Sequence, residues 1–95
     1  MASTTINIRY DMPEKGWQEI AQLYSTMPGW LGFVVQGCPA WQISDKQSQT
    51  MIASVEPSGL VFEYPEATKE VENWLVLFCK RATECLGYEV KDAES

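Results

Sequence analysis

Thr50-Met51-Ile52-Ala53-Ser54-Val55-Glu56-Pro57-Ser58-Gly59-Leu60-Val61-Phe62-Glu63-Tyr64 is the stretch on which the fold turns. Two runs of strand length, rich in apolar and β-branched residues, flank Glu56-Pro57-Ser58-Gly59. Proline second and glycine last suit a type I turn, so the runs at 50–56 and 60–64 read as a β-hairpin. An antiparallel sheet built on this hairpin is the expected centre of the molecule.

On the C-terminal side, Pro65-Glu66-Ala67-Thr68 opens a helix of about twenty residues. Glu66, Glu70 and Glu72 lie toward its positive end, Lys80 and Arg81 toward its negative end, and Gly87 follows as a left-handed cap. Tyr88-Glu89-Val90-Lys91 offers a last short strand before an acidic tail. At the other end, Thr5-Ile6-Asn7-Ile8-Arg9-Tyr10 alternates polar with apolar and predicts a strand with Ile6, Ile8 and Tyr10 turned inward. Asp11-Met12-Pro13-Glu14 resembles a capping box with Asp11 as the cap. Trp17, Ile20, Ala21, Tyr24 and Met27 then recur at helical spacing until Pro28-Gly29.

Residues 30–45 carry no clear period: Trp30 to Gln36 fits a short helix or an irregular strand, Gly37-Cys38-Pro39 interrupts it, and Trp41 to Asp45 alternates again. Lys46 to Gln49 reads as a polar turn. The expected fold class is a single domain over residues 1–95, two-layer α+β, with four to five antiparallel strands and both helices on one face. A ferredoxin-like βαββαβ arrangement is the alternative.

Two features exceed what an average small domain contains. Ile20 to Ser44 holds no Asp, Glu, Lys or Arg, yet includes Tyr24, Trp30, Phe33 and Trp41. Such a segment belongs in the core, in an oligomer interface or in the wall of a pocket, and its prolines and glycines exclude a membrane helix. Trp74-Leu75-Val76-Leu77-Phe78-Cys79 is apolar in every direction, because each helical step turns about 100°. Val71, Leu75, Phe78, Ala82 and Leu86 supply the stripe that packs on the sheet, leaving a surplus. Burying Trp74 and Leu77 is worth about 2–3 kcal/mol each. A homodimer answers that surplus, with Trp74, Leu77, Phe33 and Val35 as interface candidates. The competing reading folds the uncharged segment over the helix within one chain.

Composition removes several function classes. Lys and Arg number seven against thirteen Asp and Glu, a net charge of -6, which is the wrong sign for a phosphate backbone or an anionic membrane surface. No nucleic acid and no membrane partner is expected; an acidic inhibitor that imitates DNA is a more distant alternative. The chain contains no histidine, so the commonest general base and metal ligand are missing. Cys38, Cys79 and Cys85 lack a C-x-x-C spacing. Cys79 and Cys85 lie about 240° apart around a helix and can neither pair nor chelate together. Cys38 stands beside Pro39 with no cation near it in sequence to activate a thiolate. Glu56 and Glu63 share the hairpin, but both are ordinary surface choices rather than an acid–base pair. No metal site, no cofactor and no enzyme activity is expected. Three reduced cysteines and the polar Ala2-Ser3-Thr4 after Met1 suggest a cytoplasmic protein.

Four tryptophans leave room for a ligand pocket, with Trp30, Trp41 and Glu56 the candidates for a planar or cationic small molecule. The plainer alternative places Trp17, Trp41 and Trp74 in the core and Trp30 across the Pro28-Gly29 turn.

Three segments, Gly37-Cys38-Pro39-Ala40-Trp41, Ser54-Val55-Glu56-Pro57-Ser58-Gly59-Leu60 and Leu86-Gly87-Tyr88-Glu89-Val90-Lys91-Asp92-Ala93-Glu94, resemble small uncharacterised bacterial proteins of the kind carried on integron gene cassettes. The resemblance spans the last sixty residues. It implies an accessory bacterial gene and brings no established activity. A self-associating accessory binding protein is therefore the leading expectation, with the small-molecule binder and the DNA mimic as alternatives.

Overall fold

The computed structural model describes residues 2–43 and 49–93. Its elements follow in the order β1 (Ala2–Ile6), α1 (Glu14–Thr26), β2 (Trp30–Val35), β3 (Cys38–Gln42), β4 (Thr50–Glu56), β5 (Gly59–Tyr64) and α2 (Lys69–Leu86). All pairings are antiparallel and the sheet order is β1-β5-β4-β3-β2. Four consecutive strands form a meander, and α1 carries the chain across the whole sheet from one edge to the other. The fold is α+β as expected. Four strands separate the helices rather than two, which rules out the βαββαβ alternative.

The hairpin lies where its sequence puts it, with Glu56 opposite Gly59 and Ile52 opposite Glu63. Alternation then sorts its side chains: Met51, Ala53, Leu60, Phe62 and Tyr64 turn toward the helices and are buried. Both helices cover this one face. α2 lays Val71, Trp74, Phe78 and Ala82 on it, and α1 adds Ile20, Leu23 and Tyr24. The Thr68 hydroxyl caps α2 by accepting from the Val71 N–H at 3.2 Å, and Gly87 ends the helix in the left-handed region.

Three details differ from the sequence reading. The first strand spans Ala2–Ile6 rather than 5–10, since its ladder pairs Ala2 with Tyr64 through Ile6 with Leu60. Ile8 stays buried beyond the ladder, but the chain turns at Asp11 and leaves Tyr10 57% exposed. Asp11 does not cap α1. Its carboxylate takes the Arg9 guanidinium at 3.1 Å, and the helix starts at Glu14 behind Pro13 with no side-chain cap. The C-terminal residues form one isolated bridge, Ile6 with Asp92, in place of a strand.

Residues 30–42 are two strands, and Gln36-Gly37 is the turn that joins them. Both turn residues have positive φ, 52° and 82°, the twist that matches a two-residue hairpin loop and that glycine adopts without strain. The β2–β3 register shifts twice, between Trp30 and Gly32 and again before Val35, so β2 shows no clean alternation. Pro39 fits within β3 because the ladder to β4 runs only from Ala40 to Gln42. Most of the turn expected at 46–49, and the end of the tail, lie outside the described residues.

Candidate functional site

The uncharged segment divides between the core and one open sheet edge. Trp41 is fully buried, 4.9 Å from Trp74 and 5.3 Å from Tyr24 between ring centroids. Its indole N–H donates to the Tyr24 carbonyl at 3.0 Å. The Trp74 indole donates to the Pro28 carbonyl at 3.0 Å, and Arg81 donates to the Thr26 carbonyl at 3.0 Å. Trp41, Trp74 and Arg81 thus fasten the C-terminal end of α1, whose last turn carries no basic residue of its own. Carbonyls that a helix end leaves unsatisfied gain donors, and the negative end of the dipole gains a cation.

These contacts dismantle the ligand site drawn from the sequence. Trp30 does come beside Trp41, at 5.5 Å, and stacks near Tyr24 at 6.4 Å, but Trp41 offers no surface. Glu56 lies on the opposite face of the sheet. Met51 is Trp41's cross-strand neighbour and shares its face, whereas Glu56 lies on the other face with Ser54, whose hydroxyl donates to it at 3.1 Å. Trp30, Trp41 and Glu56 therefore form no common pocket.

The interface candidates also part company. Trp74 is 5% exposed and committed to Phe62, Phe78 and the Pro28 carbonyl, so it has no face for a partner. Leu77 is half-buried against the core. Most of the all-round apolar turn is consumed within the chain. Trp74 and Phe78 meet the sheet, and Leu77 and Leu75 flank them as partly buried side chains, leaving Val76 at 69% exposure.

Phe33 and Val35 remain on β2, the edge strand. Leu31, Phe33 and Val34 are 46%, 54% and 63% exposed there. Among the described residues no strand pairs with the outer side of β2. The other edge is treated differently. The Asn7 N–H donates to the Lys91 carbonyl at 3.0 Å and the Ala93 N–H to the Thr5 carbonyl at 2.8 Å. The Asn7 side chain also donates to the Glu89 carbonyl at 3.0 Å and accepts from the Lys91 N–H at 2.9 Å. The C-terminal segment thereby fences the β1 edge.

Two clefts open beside the helical layer. One, of about 490 Å³, lies where Trp17 and Tyr24 of α1 face Phe33, Cys38 and Val55 near the β2–β3 turn. The other, of about 450 Å³, lies between α2 and the β1 edge, with Ile6, Val71 and Val90 at its floor and Leu75 and Cys79 in its wall. At the second cleft Thr4 Oγ1 and the Tyr64 hydroxyl sit 2.7 Å apart. Burial, reinforced by the Asp92 carboxylate, pushes the Cys79 thiol up to about 11, which keeps it protonated at neutral pH. Cys85 is also raised, by burial and by Glu19 beside it. All three cysteines are free thiols, and no cluster among the described residues could hold a metal ion. No described helix is long and apolar enough to cross a membrane.

Sequence had no way to register this second cleft, because its lining comes from β1, β5, α2 and the C-terminal segment, up to 88 residues apart between Thr4 and Asp92. Comparison with protein-family models, with curated proteins and with solved structures returned no match for the chain.

Proposed function

We propose that this chain is an accessory binding protein that self-associates by pairing β2 with the β2 of a second copy. The observation that carries the reading is the contrast between the two edges: one is fenced by the chain's own C-terminal segment, the other presents exposed Leu31, Phe33 and Val34. An uncovered edge strand offers a row of N–H and C=O groups to any matching strand, and proteins ordinarily guard such edges with charge, above all lysine. β2 and its neighbour β3 carry no charged residue at all. A net charge of -6 opposes association of two copies, and the opposition is weakest along an uncharged surface of this kind. Antiparallel pairing about a two-fold axis brings the same strand from both copies together and satisfies both edges at once.

Six residues give a contact about 20 Å long and one strand deep. That is the small class of interface, below about 1,200 Å² in total, and it suits a dimer that dissociates in the micromolar range. The β2–β3 register shifts twist the edge and hold the association to this weak level. Light scattering coupled to size exclusion, run across a concentration series, tests the reading. The mass should rise with concentration from 10.8 kDa toward twice that value, and Val34→Lys should hold it at the monomer. A monomer mass at high micromolar concentration, or a dimer that survives Val34→Lys, sinks the proposal.

A further inference from the structure

We infer that residues 89–93 are a brake on assembly: they occupy the β1 edge, hold the protein at two copies, and on displacement leave β1 as a second self-pairing strand. The limit of two rests on the β2 pairing proposed above; the blocking of β1 does not. By its own sequence β1 is no better guarded than β2. Ala2-Ser3-Thr4-Thr5-Ile6 carries no charge, and Thr4, Thr5 and Ile6 are β-branched, a composition that pairs readily. The charges that keep foreign strands off an edge stand instead on the segment laid along it, as Glu89, Lys91 and Asp92. Odd-numbered residues of this strand turn their backbone groups outward. The Thr5 carbonyl accepts from the Ala93 N–H at 2.8 Å, and just past the strand the Asn7 N–H donates to the Lys91 carbonyl at 3.0 Å. These are groups that the β1 of a second copy would use.

The segment is anchored at one point and lightly held around it. Val90 is buried, and its N–H donates to the Thr83 hydroxyl at 2.9 Å. The hold on the β1 edge is the two backbone hydrogen bonds above and the two made by the Asn7 side chain, to the Glu89 carbonyl and from the Lys91 N–H, both exposed to solvent. Exposed hydrogen bonds contribute little each, so the segment can lift from the edge without unfolding the sheet. A dimer joined at β2 carries a β1 at either end. With both ends uncovered, β1 meets the β1 of the next dimer about a second two-fold axis, and the sheet extends without closing.

Asn7→Ala combined with Ala93→Pro removes three of these four hydrogen bonds from the full chain. Light scattering coupled to size exclusion, over the same concentration series, should show this unfenced variant growing past two copies where the unsubstituted chain stops at two. Adding Val34→Lys should cut the growth back to two copies, joined at β1 alone. Adding Ser3→Pro instead removes an outward N–H and spares the ladder to β5, and should return the mass to that of the unsubstituted chain. An unfenced variant no heavier than the unsubstituted chain overturns the brake, as does a monomer in the Val34→Lys background. Growth that Ser3→Pro leaves unchanged also overturns it, being the mark of unfolding rather than of strand pairing. An unsubstituted monomer whose unfenced variant stops at two copies refutes the β2 pairing and upholds the blocking of β1.

Discussion

The two edges of one sheet are finished in opposite ways. At β1, backbone groups that would otherwise face solvent are met by residues 91–93, and the Asn7 amide clamps the same segment from both sides. The segment that does this is charged, with Glu89, Lys91 and Asp92. At β2 nothing described covers the strand, the register slips twice and the exposed side chains are Leu31, Phe33 and Val34. An edge can be closed within the chain by polar residues, or left uncharged and irregular. The first choice consumes hydrogen bonds locally, whereas the second leaves them available to another chain.

The contrast can be broken most severely from beneath. Trp41→Ala removes the indole that supports the β2–β3 end and frees the α1 terminus from one donor. A loss of about 3–5 kcal/mol in denaturant unfolding is expected, and a loss under 1 kcal/mol would mean this end is not packed as described. At the opposite edge, Asn7→Ala deletes two side-chain hydrogen bonds to the fence, for about 1–2 kcal/mol. Faster hydrogen exchange at Asn7 and Ala93, with β3 amides unchanged, would mark the effect as local.

A smaller effect comes from pH. The Cys79 thiol titrates near 11 in the folded chain against an ordinary value of 9.0, so the native state holds its proton more tightly than the unfolded one. Its contribution is intact below pH 9 and drains away between about 9 and 11. Cys79→Ser, whose hydroxyl does not titrate in this range, should flatten that alkaline decline, and an unchanged pH profile would remove the thiol from the account. Val34→Lys is the smallest in folding terms. Its side chain is 63% exposed, so unfolding free energy should move by no more than about 0.5 kcal/mol while association is lost. A large loss of stability would show that β2 is supported by that valine rather than merely bordered by it.

What could be read from sequence divides along similar lines. The 50–64 hairpin and α2 were legible because local chemistry agrees with the global fold: a proline–glycine turn, a threonine cap and a glycine stop each act over a few residues. The Gln36-Gly37 turn was missed since a bulged strand before it and Pro39 after it erase the alternation on which strand reading depends. Asp11 misled because Arg9, two residues away, competes for the carboxylate that a cap would use. The Trp74–Cys79 turn called for a partner and was given one inside the chain, by the sheet on one side and α1 on another; which directions are filled depends on helix placement, not on composition. Glu56 was grouped with Trp41 without regard to register; it lies an odd number of residues beyond Met51, the partner of Trp41, and alternation therefore places it across the sheet.

The aromatic cluster that binds α1 to the sheet has an optical consequence. Trp30, Trp41 and Trp74 form a chain with ring separations of 5.5 Å and 4.9 Å, with Tyr24 and Phe78 against it. Indoles this close share excitation and couple their transition dipoles. The folded chain should therefore carry its own spectroscopic signature, an exciton couplet in the far-ultraviolet circular dichroism from the indoles of β2, β3 and α2, and it should vanish when α2 parts from the sheet and the sheet itself unfolds.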